Sequence, residues 1–292
     1  IIPAIKMAED EMNESFLFIA DLHSITQIKD CDELSEHTFA TAATWLACGL
    51  NPEKTIFFRQ SAVAQVTELA WFLSCFFPYQ RLKLAHSFKD KSDHLGDVNC
   101  GLFTYPMLMA SDILIYNAEF VPVGKDQLQH IEITRDVASR FNHQFGETFV
   151  LPKAKIEENT QYVTGTDGEK MSKSKNNTIN IFLQEKKLRS QIMSIKTDSK
   201  SIDEPKNPDQ CNLFKLFSIL GNKNQIDVLR QKYLNGGVGY GDTKQELFEL
   251  ILEKFKTERT KFKYYNENPR EVELALEKGA YKASKIADEV LL

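Results

Sequence analysis

The sequence predicts an α/β fold, a doubly wound parallel sheet joined to a second, all-helical domain, and three observations predict it. Short β-branched and aromatic runs alternate with helical stretches through the first half of the chain, the pattern of βαβ units. Each of these runs ends in polar residues, where open parallel sheets bind ligands. Beyond Asn177 the strand-like runs stop and the text becomes helical and lysine-rich.

Taken in order, the candidate strands are SFLFIA at 15–20, KTIFFR at 54–59 and EFVPVG at 119–124. Periodicity places helices at about 34–48, 63–76, 106–117 and 126–141. Pro106 is a favoured first-turn residue, so MLMASDILIYN is expected to start a helix there. The strand ends offer Asp21 and His23, then Gln60 and Ser61, then Gly124, Asp126 and Gln127. From about 183 onward helical text is broken only by DEPKNPDQ (203–210) and NGGVGYGD (235–242). The change of character after Asn177 gives a first domain over 1–180 and a helical one over 181–292, whose last helix is expected to pack back on the first. The chain opens IIPAIKMAED, without methionine and already helical in pattern, so an element upstream is expected to be missing.

Composition excludes several classes. Hydrophobic residues make up 42% and charged residues 26%, ordinary for a chain with a packed core. No apolar run reaches membrane-span length and no signal peptide is visible. The five cysteines are scattered and odd in number, which argues against a disulfide framework or a cysteine-ligated metal and suits a reducing, cytoplasmic location. A net charge of −5 means that any nucleic-acid partner must be met by a local basic patch.

The most specific string lies in GTDGEKMSKSKNN, from Gly165 to Asn177. Ammonium groups beside hydroxyls suit phosphate oxygens, and the flanking glycines and asparagines suit a segment that closes over a nucleotide. Charged Gly/Asn loops are usually solvated turns. Yet Lys170-Met171-Ser172-Lys173-Ser174 should arise by composition in about one in ten thousand chains of this length, so function is the better reading.

KMSKS is the signature loop of the class I aminoacyl-tRNA synthetases, whose Rossmann-like domain activates an amino acid with ATP. FIADLHSIT (18–26), TELAWFL (67–73), TYPMLMASDILIYN (104–117), VPVGKDQLQHIEITRDVASRFN (121–142) and GYGDTKQEL together resemble the tryptophanyl-tRNA synthetases of bacterial or organellar type, over nearly the whole chain. The resemblance implies tryptophan–tRNA ligation. Tryptophan attacks ATP to give the adenylate and pyrophosphate, and the adenylate then charges tRNA(Trp). It also implies a homodimer and a magnesium ion carried in with ATP, with no dedicated metal site.

Residue by residue, the resemblance makes Lys170 and Lys173 the catalytic cations on the pyrophosphate. It assigns ATP to Gly124, Lys125, Asp126, Val163, Lys170, Met171, Ser172, Lys173 and Ser174. Tryptophan falls to His23, Tyr105, Met109, Asp112, Val121, Val123 and Gln127. Physical reading supports part of this. Met109 and Asp112 lie three apart on one helix face, where a carboxylate accepts an indole N–H and a thioether lies against the ring. The bland readings are an exposed helical aspartate for Asp112, a helix cap for Asp126, and packing for His23 and Tyr105.

One departure stands out. The family has a HIGH-like sequence at the first helix N-terminus, where backbone N–H groups hold phosphates, and none precedes IIPAIKMAED. His94-Leu95-Gly96-Asp97 lacks a preceding strand and is read as a decoy. NGGVGYGD, with Gly237-x-Gly239, is read as a glycine helix stop rather than a dinucleotide fingerprint. The missing motif keeps a non-catalytic tRNA- or tryptophan-binding paralogue open, and a tyrosyl-type enzyme shares the architecture. For tRNA, KFKTERTKFK (254–263) sets Lys254, Lys256, Arg259, Lys261 and Lys263 around Phe255 and Phe262. A solvated charged face is the plainer reading of that stretch taken alone.

Overall fold

The computed structural model describes residues 1–10, 12–84, 99–156, 163–172 and 175–291. These form two compact units, one of 1–160 with 265–292 and the other of 161–264. The packing boundary therefore falls some twenty residues before the functional boundary expected at 180. The loop segment from Val163 belongs with the second unit.

The first unit opens with α1 (Ile2–Ala8), then strand β1 (Phe16–Ile19), a single turn α2 (Asp21–Ser24) and α3 (Cys31–Ala47). Asp30 caps α3, its side chain accepting from the Glu33 N–H at 2.8 Å. Strand β2 (Ile56–Arg59) returns parallel to β1, with Phe16 opposite Ile56 and Ile19 opposite Arg59. A 3-10 turn (Gln60–Ala62), α4 (Gln65–Phe76), α5 (Tyr79–Leu82) and α6 (Cys100–Leu114) follow. Strand β3 (Phe120–Val123) leads through a 3-10 turn (Lys125–Gln127) into α7 (Leu128–Phe145) and strand β4 (Lys153–Ile156), which pairs parallel with β3. Both strand pairings among the described residues, β1 with β2 and β3 with β4, are parallel, and the fold is a Rossmann-like α/β domain with a helical C-terminal region.

Three differences from the sequence expectation have physical causes. Strand β4 was not anticipated, because KAKI has two lysines and a mostly exposed face and so lacks the apolar alternation of a half-buried strand. Helix α6 begins at Cys100, six residues before Pro106. Its start is set by Asn99, whose side chain accepts from the Leu102 N–H at 3.0 Å. Pro106 thus sits inside the helix, where it removes a donor, and burial against α4 and α7 holds the helix through it. The helix expected from 126 starts at Leu128, after the 3-10 turn, and neither this turn nor α7 has a side-chain cap.

The core of the first unit gathers Val66, Leu69 and Leu73 from α4, Met107, Ala110 and Leu114 from α6, and Val137 from α7 around Phe58 of β2. Over β2 lies α13 (Pro269–Leu291), the last helix, presenting Gly279, Ala280, Ala283 and Ala287. A Cβ at Gly279 would overlap the Phe57 carbonyl oxygen, so the glycine lets helix and strand backbones touch. Arg59 at the end of β2 clasps Glu273 of α13 through one guanidinium nitrogen at 2.7 and 2.8 Å.

The second unit is helical: α8 (Glu185–Met193), α9 (Asn212–Leu220), α10 (Lys223–Asn235), α11 (Tyr240–Lys254) and most of α12 (Lys256–Glu267). Leu188, Ile192, Phe214, Phe217, Leu229, Tyr233 and Leu247 form its core. Helix α10 ends at Gly236 with φ of 78°, followed by Gly237 at 86°, and Gly239 precedes α11. NGGVGYGD is therefore a helix stop and restart. No helix among the described residues is long and apolar enough to cross a membrane.

Candidate functional site

The carboxyl ends of β1 and β2 bring together residues that are far apart in sequence. Asp21 and His23 follow β1, Gln60 and Ser61 follow β2, and α6 delivers Asp112 to the same place. Asp112 is buried at 6% exposure, so the exposed-helix reading does not hold for it. His23 meets it through Nε2, 2.9 Å from Oδ2. The Gln60 amide donates to both carboxylate oxygens, at 2.8 and 2.9 Å. Burial pushes the Asp112 carboxyl above its ordinary range, against the opposing pull of His23 and Gln60. Beside it, Asp21 accepts from the Ser61 backbone N–H at 2.9 Å and from the Ser61 hydroxyl, which locks the turn after β2 to that after β1.

In front of this cluster is a cavity of about 390 Å³ lined by Ala20, His23, Tyr105, Met109, Gln127 and residues at the end of α2 and in the turn after it. That volume suits a small ligand. Four of the seven residues expected to hold tryptophan, His23, Tyr105, Met109 and Gln127, thus share one cavity, with Asp112 directly behind His23. Tyr105 is held by its hydroxyl, 2.8 Å from His130 Nε2, and its ring meets His23 edge-on. Val121 and Val123 lie half-buried on one side of β3, outside the residues that line the cavity.

The strand-end turn after β3 is exposed at Gly124, Lys125 and Asp126. A Cβ at Gly124 would crowd the Asp126 carboxylate, so glycine permits that side chain to fold back over the turn. Gln127 donates to Asp126 at 3.3 Å.

In the second unit the described residues of the Val163–Asn177 segment are tied together by hydrogen bonds. Thr164 and Lys170 bridge antiparallel, and the Met171 N–H donates to the Val163 carbonyl at 3.0 Å. Asn177, 2% exposed, accepts from the Ser172 N–H at 2.7 Å and donates to the Lys170 carbonyl at 3.1 Å and to Asp167 at 2.8 Å. That last bond holds the Asp167 carboxyl below its ordinary range. Asn212, at the start of α9, donates to the Gly165 carbonyl at 2.8 Å. Lys173 and Ser174, and the decoy His94–Asp97, lie outside the described residues.

Sequence reasoning did not assign Gln60, Asn177 or His130 to the site. Gln60 was visible only as a polar residue at a strand end. His130 sits on the buried face of α7, and Asn177 closes a loop read for its charges. The basic stretch is partly structural. Lys254 donates to the Leu220 carbonyl at 2.8 Å, Arg259 donates to the Ile181 carbonyl, and Phe262 stacks on Phe182 at 4.4 Å. Lys256, Lys261 and Lys263 remain on the surface.

The profile of the family described as tRNA synthetases class I (W and Y) matches residues 1–256. A tryptophan–tRNA ligase of Fusobacterium nucleatum is 48% identical over 277 residues, 94% of this chain and 85% of the relative. One from Campylobacter jejuni is 44% identical over 288 residues, 98% of this chain and 90% of the relative. The crystal structure of the Campylobacter jejuni tryptophanyl-tRNA synthetase complexed with ADP and tryptophan superposes with a TM-score of 0.95 at 43% identity. It covers 99% of this chain and 91% of that one. With the family profile matching residues 1–256 and these likenesses covering nearly the whole chain, the chain belongs to the class I tryptophanyl-tRNA synthetases.

Proposed function

We propose that this chain is a tryptophan–tRNA ligase that forms tryptophanyl-adenylate from tryptophan and ATP, releases pyrophosphate, and passes the tryptophanyl group to the terminal ribose of tRNA(Trp). The observation that carries the reading is the buried Asp112 carboxylate behind a cavity lined by His23, Tyr105, Met109 and Gln127. An indole offers a ring for that cavity and one N–H for the carboxylate. Phenylalanine offers no such donor. Val121 and Val123, on β3 outside the cavity lining, are assigned to tryptophan by the family resemblance alone, and Gln127 takes the ammonium group of the substrate.

Gly124, Lys125 and Asp126 serve the ATP ribose, while Val163 and Met171 flank the nucleotide. Lys170, Ser172, Lys173 and Ser174 neutralise the departing pyrophosphate, which is the main electrostatic task in this reaction. Magnesium enters bound to ATP and keeps most of its ligands from phosphate and water. Residues 1–180 form the catalytic part and 181–292 the helical anticodon-binding part, with Lys256, Lys261 and Lys263 facing tRNA phosphates. The exposed Trp71, Phe72 and Tyr79 support a homodimer through the catalytic part, since apolar rings of this size seldom stand in water together. The reducing location suggested by the scattered cysteines is the cytoplasm.

Tryptophan-dependent ATP–pyrophosphate exchange, with tyrosine as control, tests the reading directly. Exchange with tryptophan alone supports it. Tryptophan binding without exchange would favour a binding paralogue, and exchange with tyrosine would favour the tyrosyl alternative. Lys173→Ala is expected to slow adenylate formation far more than it weakens tryptophan binding. Equal losses in both would remove the pyrophosphate role.

A further inference from the structure

Gln60 is 0% exposed, carries no charge, and touches both halves of the strand-end cluster. Its Nε2 lies 2.8 Å from Asp112 Oδ1 and 2.9 Å from Oδ2, while its Oε1 lies 3.4 Å from the His23 backbone nitrogen. Only one orientation of the amide satisfies these neighbours. A carboxylate only accepts and a backbone N–H only donates, so the NH₂ must face Asp112 and the carbonyl must face His23. The side chain thus pins a carboxylate delivered 52 residues later to a turn 37 residues earlier.

We propose that Gln60 is the residue that sets recognition of the indole N–H, acting through Asp112; the proposal rests on the reading of Asp112 as the indole acceptor. A buried carboxyl has two ways to lose that role. It can take up a proton and become a donor itself, or it can turn its oxygens away from the ligand. Gln60 opposes both. Its amide is a donor that never titrates, so it favours the charged form whatever the state of His23. By bridging both oxygens it also fixes the carboxylate plane. Among the described residues Oδ1 takes one bond, from Gln60, and Oδ2 takes two, from Gln60 and His23, so Oδ1 is the oxygen with an acceptor position left over. An indole N–H is matched to that position, and an isostere lacking the N–H would leave it empty. Asp21 and Tyr116 also face this carboxylate electrostatically, but neither donates a hydrogen bond to it.

The test compares tryptophan with β-(3-benzothienyl)alanine, in which sulfur replaces the indole N–H at nearly the same shape. The ratio of kcat/KM values in ATP–pyrophosphate exchange is measured for the wild type, Gln60→Met, Gln60→Glu and Asp112→Asn, with thermal melts and KM for ATP alongside. The expected result is a fall of at least about tenfold in the tryptophan preference of both Gln60 variants, the size of one lost hydrogen bond. KM for ATP should stay within about twofold. A Gln60 variant that does not melt cooperatively is replaced by Gln60→Asn, whose shorter side chain cannot bridge both oxygens. Loss of preference in Asp112→Asn with the wild-type ratio kept in the Gln60 variants would overturn the proposal. An unchanged ratio in Asp112→Asn would instead overturn the underlying reading of Asp112. A merely structural Gln60 would reduce activity towards both amino acids alike and leave the ratio standing.

Discussion

Replacing Asp112 by Asn separates what this carboxylate does for binding from what it costs the fold. The side chain keeps its size and one acceptor but loses its charge. Gln60 Nε2 and His23 Nε2 both point at the carboxylate, at 2.8–2.9 Å, so the single Asn carbonyl is drawn towards these donors. The Asn NH₂ then turns to where an indole N–H would sit, and donor meets donor. Replacing a charge-assisted bond by a neutral one loses about 1 kcal/mol, and the clash of donors leaves a buried N–H unsatisfied at about 1–3 kcal/mol more. The sum, about 2–4 kcal/mol, corresponds to a fall of roughly 30- to 1000-fold in kcat/KM for tryptophan.

Stability should move the other way or stay level. Burial raises the Asp112 carboxyl's pKa in spite of its partners, so the charged form is a net cost to the folded protein near neutral pH. The assay is exchange kinetics with tryptophan and ATP varied in turn, together with thermal melts. An Asp112→Asn protein that melts at or above the wild-type temperature, with a large loss for tryptophan and an unchanged KM for ATP, bears the argument out. A variant that loses tryptophan and ATP together while melting several degrees lower would refute it, because Asp112 would then be holding the fold.

The same site makes a pH prediction. Because the folded chain holds the Asp112 proton more tightly than the unfolded chain, this group's stabilising contribution is complete below the ordinary value of 3.8 and is lost as pH rises through the elevated one. The stability of Asp112→Asn relative to wild type should therefore increase with pH above 3.8 in denaturant titrations, and a decrease would contradict the assignment. Gly279→Ala should destabilise by about 1–3 kcal/mol despite the better helix propensity of alanine, since the new methyl meets the Phe57 backbone. A raised melting temperature would show that α13 does not ride directly on β2. Tyr116→Phe removes a buried hydroxyl with no hydrogen-bond partner among the described residues and keeps the ring stacked on Phe16 at 4.5 Å. Its stability should stay within about 0.5 kcal/mol of wild type or rise, and a loss of more than about 1 kcal/mol would mean that the hydroxyl has a partner.

Much of the fold was legible along the chain because its signals are local. FLFI and IFFR read as strands from their own composition, and the helices of the first half read as helices from a 3.6-residue repeat. Lys170–Ser174 stands out because two ammonium and two hydroxyl groups are packed into five neighbouring residues, a signal that needs no tertiary information. Where local signals compete, the reading slipped. Pro106 looked like a helix start because Pro is favoured there, while Asn99 in fact supplied the cap. KAKI carries no strand signal of its own because its side chains are mostly polar and exposed, and it is a strand because β3 offers an edge to pair with.

What the sequence by itself determined is the set of chemical groups available, the elements that carry them, and the family to which their order belongs. Which groups meet was decided only by tertiary structure. Asp112 finds His23 across 89 residues and Gln60 across 52, and no periodicity or spacing encodes either meeting. The physical reason is that hydrogen bonding is short-ranged in space and indifferent to separation along the chain. The polar residues at two strand ends acquire their roles only once the parallel pairing of β1 with β2, and the burial of α6 beside them, has set them within 3 Å of one carboxylate.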